Sequence, residues 1–258
     1  MTLLVTGGTG TLGRPTVDAL HAAGHAPRIL SRRPAPMSTA TDHAVADLQS
    51  GRGLAAALEG VETVLHLATN RRSDARATRN LVDAARAAGV QHLVYLSIVG
   101  VDAVPLGYYR SKLACEQLIA GSGLPHTILR ATQFHDFVGG FFRAQRRLPR
   151  LLTLDVPFQP IDTGAVAARL TSLVASPPAG GRVDDLGGPE VLPMAELGRQ
   201  WLEARDARGH DAHTEAARRR VVEWHAPGKL VAAYRAGLHT TNAPGPGIRF
   251  AEWAATAR

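Results

Sequence analysis

Leu3, Leu4 and Val5 form a short apolar run with no polar face. Such a run reads as a strand covered on both sides in a parallel sheet. It ends in the glycine-dense stretch Gly7-Gly8-Thr9-Gly10-Thr11-Leu12-Gly13, and a helical period follows at once through Leu12, Val17 and Leu20, with Ala19 and Ala22 between. The alternation then repeats. Residues 26–30 read as a second strand, with Pro27 at its start, where the missing amide does little harm. Residues 44–46 read as a short third strand, 61–68 as a fourth, 92–98 as a fifth and 127–130 as a sixth. Between them, 54–58 and 71–88 carry helical periods, the second with Leu81, Val82 and Ala85 inward and Gly89 as its cap. A further helix runs from Tyr108 through Ile119. Strands alternating with helices predict an α/β fold, a doubly wound parallel sheet with helices on both faces.

Beyond residue 136 the pattern loosens. Residues 137–148 mix aromatics with arginines. A strong helix follows at 164–175 with Asp162 or Thr163 as its N-cap, then a break at Pro177-Pro178-Ala179-Gly180-Gly181 and a further strand at 183–186. Two amphipathic helices, 194–208 and 229–236, complete the chain, with Gly237 as a C-cap. The reading divides the chain into a Rossmann-type domain at 1–187, with 136–160 contributing to the substrate side, and a small, discontinuous capping region at 188–258.

The spacing Gly7-x-x-Gly10-x-x-Gly13 after a strand and before a helix is the setting in which backbone amides and the helix dipole grip a pyrophosphate. Gly7 permits the tight turn, Gly10 lets the backbone approach the phosphate and Gly13 lets the helix pack closely. Thr9, Thr11 and Leu12 belong to the same cradle. The end of the second strand meets the adenine ribose in this architecture. No acidic residue stands there to select NAD; Arg32 and Arg33 do stand there, and a guanidinium forks onto a phosphate. NADP(H) is therefore expected over NAD(H). Ala68 and Thr69 lie at the carboxyl end of the fourth strand, where ligands bind in open α/β sheets.

Bulk composition narrows the classes. At 258 residues and 45% hydrophobic, the chain can bury a core. One cysteine, Cys115, excludes an intramolecular disulfide framework and fits a reducing compartment; its helical context reads as core. No signal-type apolar segment precedes the first strand and no run reaches membrane-spanning length, so a soluble, cytoplasmic protein is expected. The formal charge of +7 comes from scattered arginines, with Lys112 and Lys229 the only lysines. Arg218-Arg219-Arg220 runs into apolar Val221-Val222 and reads as a solvated element end. No basic recognition helix is evident, so nucleic acid is not an expected partner. No metal is expected, and the oligomeric state, monomer or homodimer, stays open. His66, inside an apolar run, reads as a satisfied core histidine.

Tyr108 and Lys112 carry the chemistry. Separated by three residues, at helix spacing, they share one face, one turn apart. A phenol with an unperturbed pKa of about 10 is a poor acid or base at neutral pH, and a nearby ammonium lowers it. Ser97, at the end of the fifth strand, can orient a carbonyl oxygen. Tyr109 competes for the acid role if the helix starts one residue late.

The segments Leu96-Ser97-Ile98-Val99-Gly100-Val101-Asp102, Tyr108-Tyr109-Arg110-Ser111-Lys112-Leu113-Ala114-Cys115-Glu116, Leu129-Arg130-Ala131-Thr132-Gln133-Phe134, Gln159-Pro160-Ile161-Asp162, Leu186-Gly187-Gly188-Pro189 and Arg249-Phe250-Ala251-Glu252-Trp253, together with Thr6-Gly7-Gly8-Thr9-Gly10-Thr11-Leu12-Gly13, resemble the short-chain dehydrogenase/reductase superfamily, in its atypical NmrA-like subgroup. The resemblance spans nearly the whole chain. It implies Asp47 and Leu48 beside the adenine ring, Asp47 reading equally as a turn or helix N-cap residue, and it implies Lys112, Thr132 and Gln133 on the cofactor. Phe134, His135 and Phe137 are then expected to line the substrate side, with His135 as a second acid/base or a rim residue. Two functions follow: an NADP(H)-dependent oxidoreductase acting on a small apolar carbonyl, quinone or enone, or a non-catalytic dinucleotide sensor of the NmrA type.

Overall fold

The computed structural model describes residues 2–34, 42–70, 74–207 and 220–257. Its first half runs β1 (Leu3–Thr6), α1 (Gly13–Ala22), β2 (Arg28–Ser31), β3 (His43–Val45), α2 (Leu54–Ala57), β4 (Thr63–His66), α3 (Asp74–Ala87), β5 (His92–Ile98), α4 (Gly107–Ala120), β6 (His126–Ala131) and α5 (His135–Ala144). The second half runs β7 (Leu151–Leu154), β8 (Pro157–Phe158), α6 (Thr163–Val174), β9 (Gly181–Arg182), β10 (Leu192–Pro193), α7 (Met194–Ala207), β11 (Val221–Trp224), α8 (Lys229–Arg235) and α9 (Phe250–Thr256).

Every residue of β1 is buried, as its featureless apolar run requires. Among the described residues seven strands form one sheet in the order β3-β2-β1-β4-β5-β6-β9. β1 runs parallel to β2 and β4, β2 to β3, β4 to β5, and β6 to β9. The order reverses at β1, which sends the chain first to one side and then to the other. That reversal opens a crevice at the carboxyl ends of β1 and β4, the ligand position of doubly wound sheets. The α/β, Rossmann-type expectation holds.

The described chain divides into two compact units. The first comprises Met1–Asp102, Leu106–Arg130 and Thr163–Asp185. It holds the sheet and a core built on Leu4, Leu58, Val64, Leu81, Leu93 and Ile119, each fully enclosed. Burying one such leucine or isoleucine stabilises the fold by roughly 1.5–3 kcal/mol before chain entropy is set against it. The second comprises Ala103–Pro105, Ala131–Asp162 and Leu186–Arg258. Its core is aromatic: Phe142, Phe158, Trp201 and Phe250 pack with Leu197 and Met194. Gly139 has no side chain because a Cβ there would meet the Trp253 ring at 2.4 Å.

Several element readings change. The strand expected at 183–186 is instead Gly181–Arg182; Val183 still donates its amide to Ile128, and Leu186 makes only an isolated bridge to Ala131. The loosely patterned stretch after 136 contains α5. Strands β7, β8, β10 and β11 and helix α9 carried no legible signal; β7 pairs parallel with β11, and β8 antiparallel with β10. Val221-Val222 opens β11, so Arg220 does end at a secondary element, while Arg218 and Arg219 lie outside the described residues. No described helix is long and apolar enough to cross a membrane.

Candidate dinucleotide site and its tyrosine

The glycine turn is built by close approach of backbone to backbone. Gly7 has φ +73°, and a Cβ on it would lie 2.7 Å from the Ala68 nitrogen, so only glycine fits where β1 and β4 end side by side. A Cβ on Gly13 would meet the Gly7 carbonyl oxygen at 2.0 Å. Helix α1 is thus seated on the turn itself. Gly10 is different. Its missing Cβ would meet only the Gly7 oxygen, at 3.3 Å, and Thr9, Gly10 and Thr11 are all exposed. No side chain caps α1, and no acidic residue stands in its first turn. Leu12, at the cap position, is buried. An uncapped helix start, free of negative charge and faced by an open glycine backbone, fits a pyrophosphate.

At the end of β2, Arg32 and Arg33 are exposed. Beyond β3, Asp47 is half-buried and spends its carboxylate on its own loop, accepting from the Gln49 amide and the Ser50 hydroxyl, both at 2.9 Å. Those bonds, led by the Gln49 amide, hold its pKa below the usual carboxylate range. Here the turn reading of Asp47 describes its geometry. Leu48 packs partly against the core. The loop is pinned from α3: Asn80 donates to the carbonyls of Leu48 (2.8 Å) and Gln49 (3.1 Å).

Beneath the turn lies a closed polar chain. Thr78 donates to the Cys115 sulfur at 3.3 Å, so its oxygen accepts from His66 Nε2 at 3.2 Å. His66 Nδ1 then accepts from Thr6 Oγ1 at 2.7 Å, and Thr6 accepts the Ala68 amide at 3.2 Å. Every member is satisfied by one tautomer. Burial, then the charge of Lys112, pulls the His66 pKa down to about 3. His66 and Cys115 are core residues, as their patterns predict. The chain fixes the end of β4 and thereby Ala68 and Thr69.

Tyr108 sits in the first turn of α4 and is half-buried, whereas Tyr109 is 3% exposed. The helix therefore turns Tyr108, not its neighbour, toward the sheet edge, where its hydroxyl lies 3.1 Å from Thr69 Oγ1. Lys112, one turn on, is buried. Its ammonium donates to the Leu96 carbonyl at 2.7 Å and lies 4.3 Å from the centre of the Tyr95 ring. Burial draws its pKa from 10.5 down to about 8, against the opposing pull of Asp74, Cys115 and Glu116. Ser97 is enclosed in β5, and its hydroxyl has no partner among the described residues. Asp74, which no sequence signal singled out, is buried and accepts from Thr69 Oγ1 at 2.7 Å and from the Asn70 amide.

The remaining expected residues belong to the second unit. Thr132 and Gln133 are buried, and the Thr132 amide donates to Leu186 at 3.0 Å. Phe134 is half-buried and Phe137 is 52% exposed. His135 departs from the expectation of a substrate-facing or rim histidine. It is fully buried against the rings of Phe250 and Trp253, with Nε2 donating to the Ile248 carbonyl at 3.0 Å, and burial lowers its pKa. The aromatic core has absorbed it.

This geometry defines a dinucleotide-binding α/β protein. Residues 7–171 match the NAD(P)H-binding family, and the chain belongs to it. It is similar to quinone oxidoreductase 2 of Escherichia coli, 32% identical over 135 residues, 50% of this chain. The chain spans about half the length of that relative, 47%. It is also similar to a (4-alkanoyl-5-oxo-2,5-dihydrofuran-3-yl)methyl phosphate reductase of Streptomyces griseus, 32% identical over 235 residues, 87% of this chain and 82% of the relative. The solved NADPH-dependent quinone oxidoreductase of E. coli shares the fold with a TM-score of 0.79 over 99% of both chains at 20% identity. The triphenylmethane reductase of Citrobacter sp. shares it with a TM-score of 0.78 over 100% of this chain and 99% of its own, at 19% identity.

Proposed function

We propose that this chain, an NAD(P)H-dependent oxidoreductase, reduces a small apolar carbonyl, quinone or enone, prefers NADPH, and uses Tyr108 as its proton donor. The observation that carries the reading is the pairing of a half-buried phenol at the carboxyl edge of β4 with a buried ammonium one helical turn away. A dinucleotide sensor needs neither group. Relatives that reduce a quinone and an oxo-dihydrofuran point to conjugated carbonyl chemistry.

When bound, the dinucleotide supplies a hydride. Gly7, Thr9, Gly10, Thr11, Leu12 and Gly13 would hold its pyrophosphate. Arg32 and Arg33 would take a ribose phosphate, and the Asp47–Leu48 loop, with Ala68, Thr132 and Gln133, would flank the rest. Tyr108 gives its proton to the substrate oxygen and recovers one from water. Lys112 stabilises the phenolate left behind. Ser97, whose buried hydroxyl has no partner among the described residues, is assigned to orienting the substrate oxygen, since an orphaned buried donor calls for a ligand. Phe134 and Phe137 are assigned to the substrate side, and His135 is not.

The test is an NADPH fluorescence titration followed by a carbonyl and quinone panel. Tyr108→Phe should keep NADPH binding and lose turnover at least 100-fold, in the usual range for a positioned acid, and Lys112→Ala should lose both turnover and part of the binding. Binding with no turnover on any substrate would assign the protein to the sensor class instead. Replacing Arg32 and Arg33 by alanine should weaken NADPH far more than NADH; equal loss of both would remove the NADPH preference.

A further inference from the structure

Tyr108, Thr69 and Asp74 form a hydrogen-bonded line that the acid role alone does not use. Thr69 Oγ1 lies 2.7 Å from Asp74 Oδ2 and 3.1 Å from the Tyr108 hydroxyl. A hydroxyl carries one hydrogen, and a carboxylate only accepts. The Thr69 hydrogen is therefore committed to Asp74, which leaves a lone pair of Thr69 facing Tyr108. The phenol must be the donor in that contact. Asp74 is itself held in place by the Asn70 amide and is 4% exposed.

The geometry points to a positioning role for Thr69 and Asp74: together they form an acceptor chain that holds the proton on Tyr108, so that the phenol enters each cycle as a donor. Two effects act in one direction. A hydrogen bond made by the neutral phenol disfavours its ionisation, and a carboxylate within about 6 Å disfavours a second negative charge. Lys112 acts in the opposite direction. Because α4 packs on α3 and β5, the titratable groups around Tyr108 among the described residues include Lys112 and Tyr109 on its own helix, Asp74 on α3 and Tyr95 on β5, with His66 of β4 against Tyr95. Of these, Asp74 alone is joined to the phenol through a hydroxyl. A site that kept only the ammonium would favour phenolate and so a proton acceptor. The added carboxylate line biases the same pair toward reduction.

This inference rests on Tyr108 as the acid, so its test reads the phenol directly and does not require turnover. The full chain carrying 13Cζ-tyrosine is titrated by NMR, with Tyr108→Phe identifying the resonance. Asp74→Asn should lower the midpoint of Tyr108 ionisation by at least one pH unit, a tenfold change in its ionisation constant. Thr69→Val should shift it in the same direction, and Thr69→Ser should hold the midpoint of the unaltered chain. An unmoved or raised midpoint in Asp74→Asn, or in Thr69→Val if the first variant does not fold, overturns the proposal. A parallel assay with NADPH and menadione separates the two readings. If the unaltered chain turns over, the high-pH limb of kcat/KM should move with the NMR midpoint, and a limb that stays put counts against the chain. If it turns over neither menadione nor any other carbonyl or quinone, the reductase reading fails, while the NMR midpoint still decides this one.

Discussion

Two glycines of one turn do different jobs, and one methyl group separates them. At Gly13 a Cβ would overlap the Gly7 carbonyl at 2.0 Å, so Gly13→Ala must push α1 off its seat. At Gly10 a Cβ meets only that same oxygen at 3.3 Å, which a small adjustment relieves, but it stands on the open side of the turn. Gly13→Ala should therefore lower both the melting temperature and NADPH affinity. Gly10→Ala should keep the melting temperature within about 2 °C, since its strain is a fraction of a kcal/mol, and still lose NADPH affinity at least tenfold. Thermal melts and fluorescence titrations on the two variants check this. If Gly10→Ala bound NADPH normally, the phosphate could not lie against that face. The glycines were readable in the sequence because backbone sterics act within a few residues. Asp74 was not: its own partners, Thr69 and Asn70, are near in sequence, but what gives the carboxylate a role is the contact of Thr69 with Tyr108, 39 residues on, which only the fold brings about.

At the scale of elements, α4 is held to the sheet by a buried ion network. Arg130, at the end of β6, reaches Glu116 on α4 through two hydrogen bonds, at 2.7 and 2.9 Å, and Asp102 at 2.8 Å. The Arg130 and Glu116 side chains are 7% and 9% exposed. Burial alone would lower the arginine's pKa, but the two carboxylates outweigh it and raise it. The network fixes the helix that carries Tyr108 and Lys112. Arg130→Met would leave Glu116 charged and enclosed, a loss of about 3–5 kcal/mol, seen as a lower urea midpoint. Arg130→Met combined with Glu116→Leu should recover most of that stability, and a double variant as weak as the single one would show that the loss is not electrostatic. Nothing in the local pattern announced this network. Periodicity located β5 to the residue, His92–Ile98, because seven apolar-rich positions carry their own signal. It missed β8 and β10, of two residues each, because strands that short exist only through their partners. It placed the strand after α6 too late because Gly181, with no side chain, carries no hydropathy signal, although its backbone pairs with Thr127.

For the molecule as a whole, acid should be the condition that unfolds it. His66 in the first unit has its pKa drawn down to about 3, and His239 in the second to about 4, chiefly by burial. His239 is 0% exposed, donates Nε2 to the Pro157 carbonyl at 2.9 Å, and leaves Nδ1 without a partner among the described residues. Among the described residues there is therefore no acceptor for a second proton on the His239 ring. The unfolded chain takes that proton near pH 6.5. With the folded pKa depressed, the unfolded state binds more protons between about pH 6.5 and 4 for His239, and down to about 3 for His66, so stability falls as pH falls through those windows. Each histidine contributes a slope of up to ~1.4 kcal/mol per pH unit. The three tryptophans, Trp201, Trp224 and Trp253, all belong to the second unit, so their fluorescence follows that unit alone. Urea midpoints read by tryptophan emission at pH 7 and pH 5 should fall in the unaltered chain and fall less in His239→Gln, whose amide can still donate to Pro157. A residual slope is expected from buried His135, whose pKa is also lowered by burial. Equal slopes in the two proteins would mean that His239 takes its proton in the folded state, and the acid sensitivity of the second unit would then have to come from elsewhere in its aromatic core.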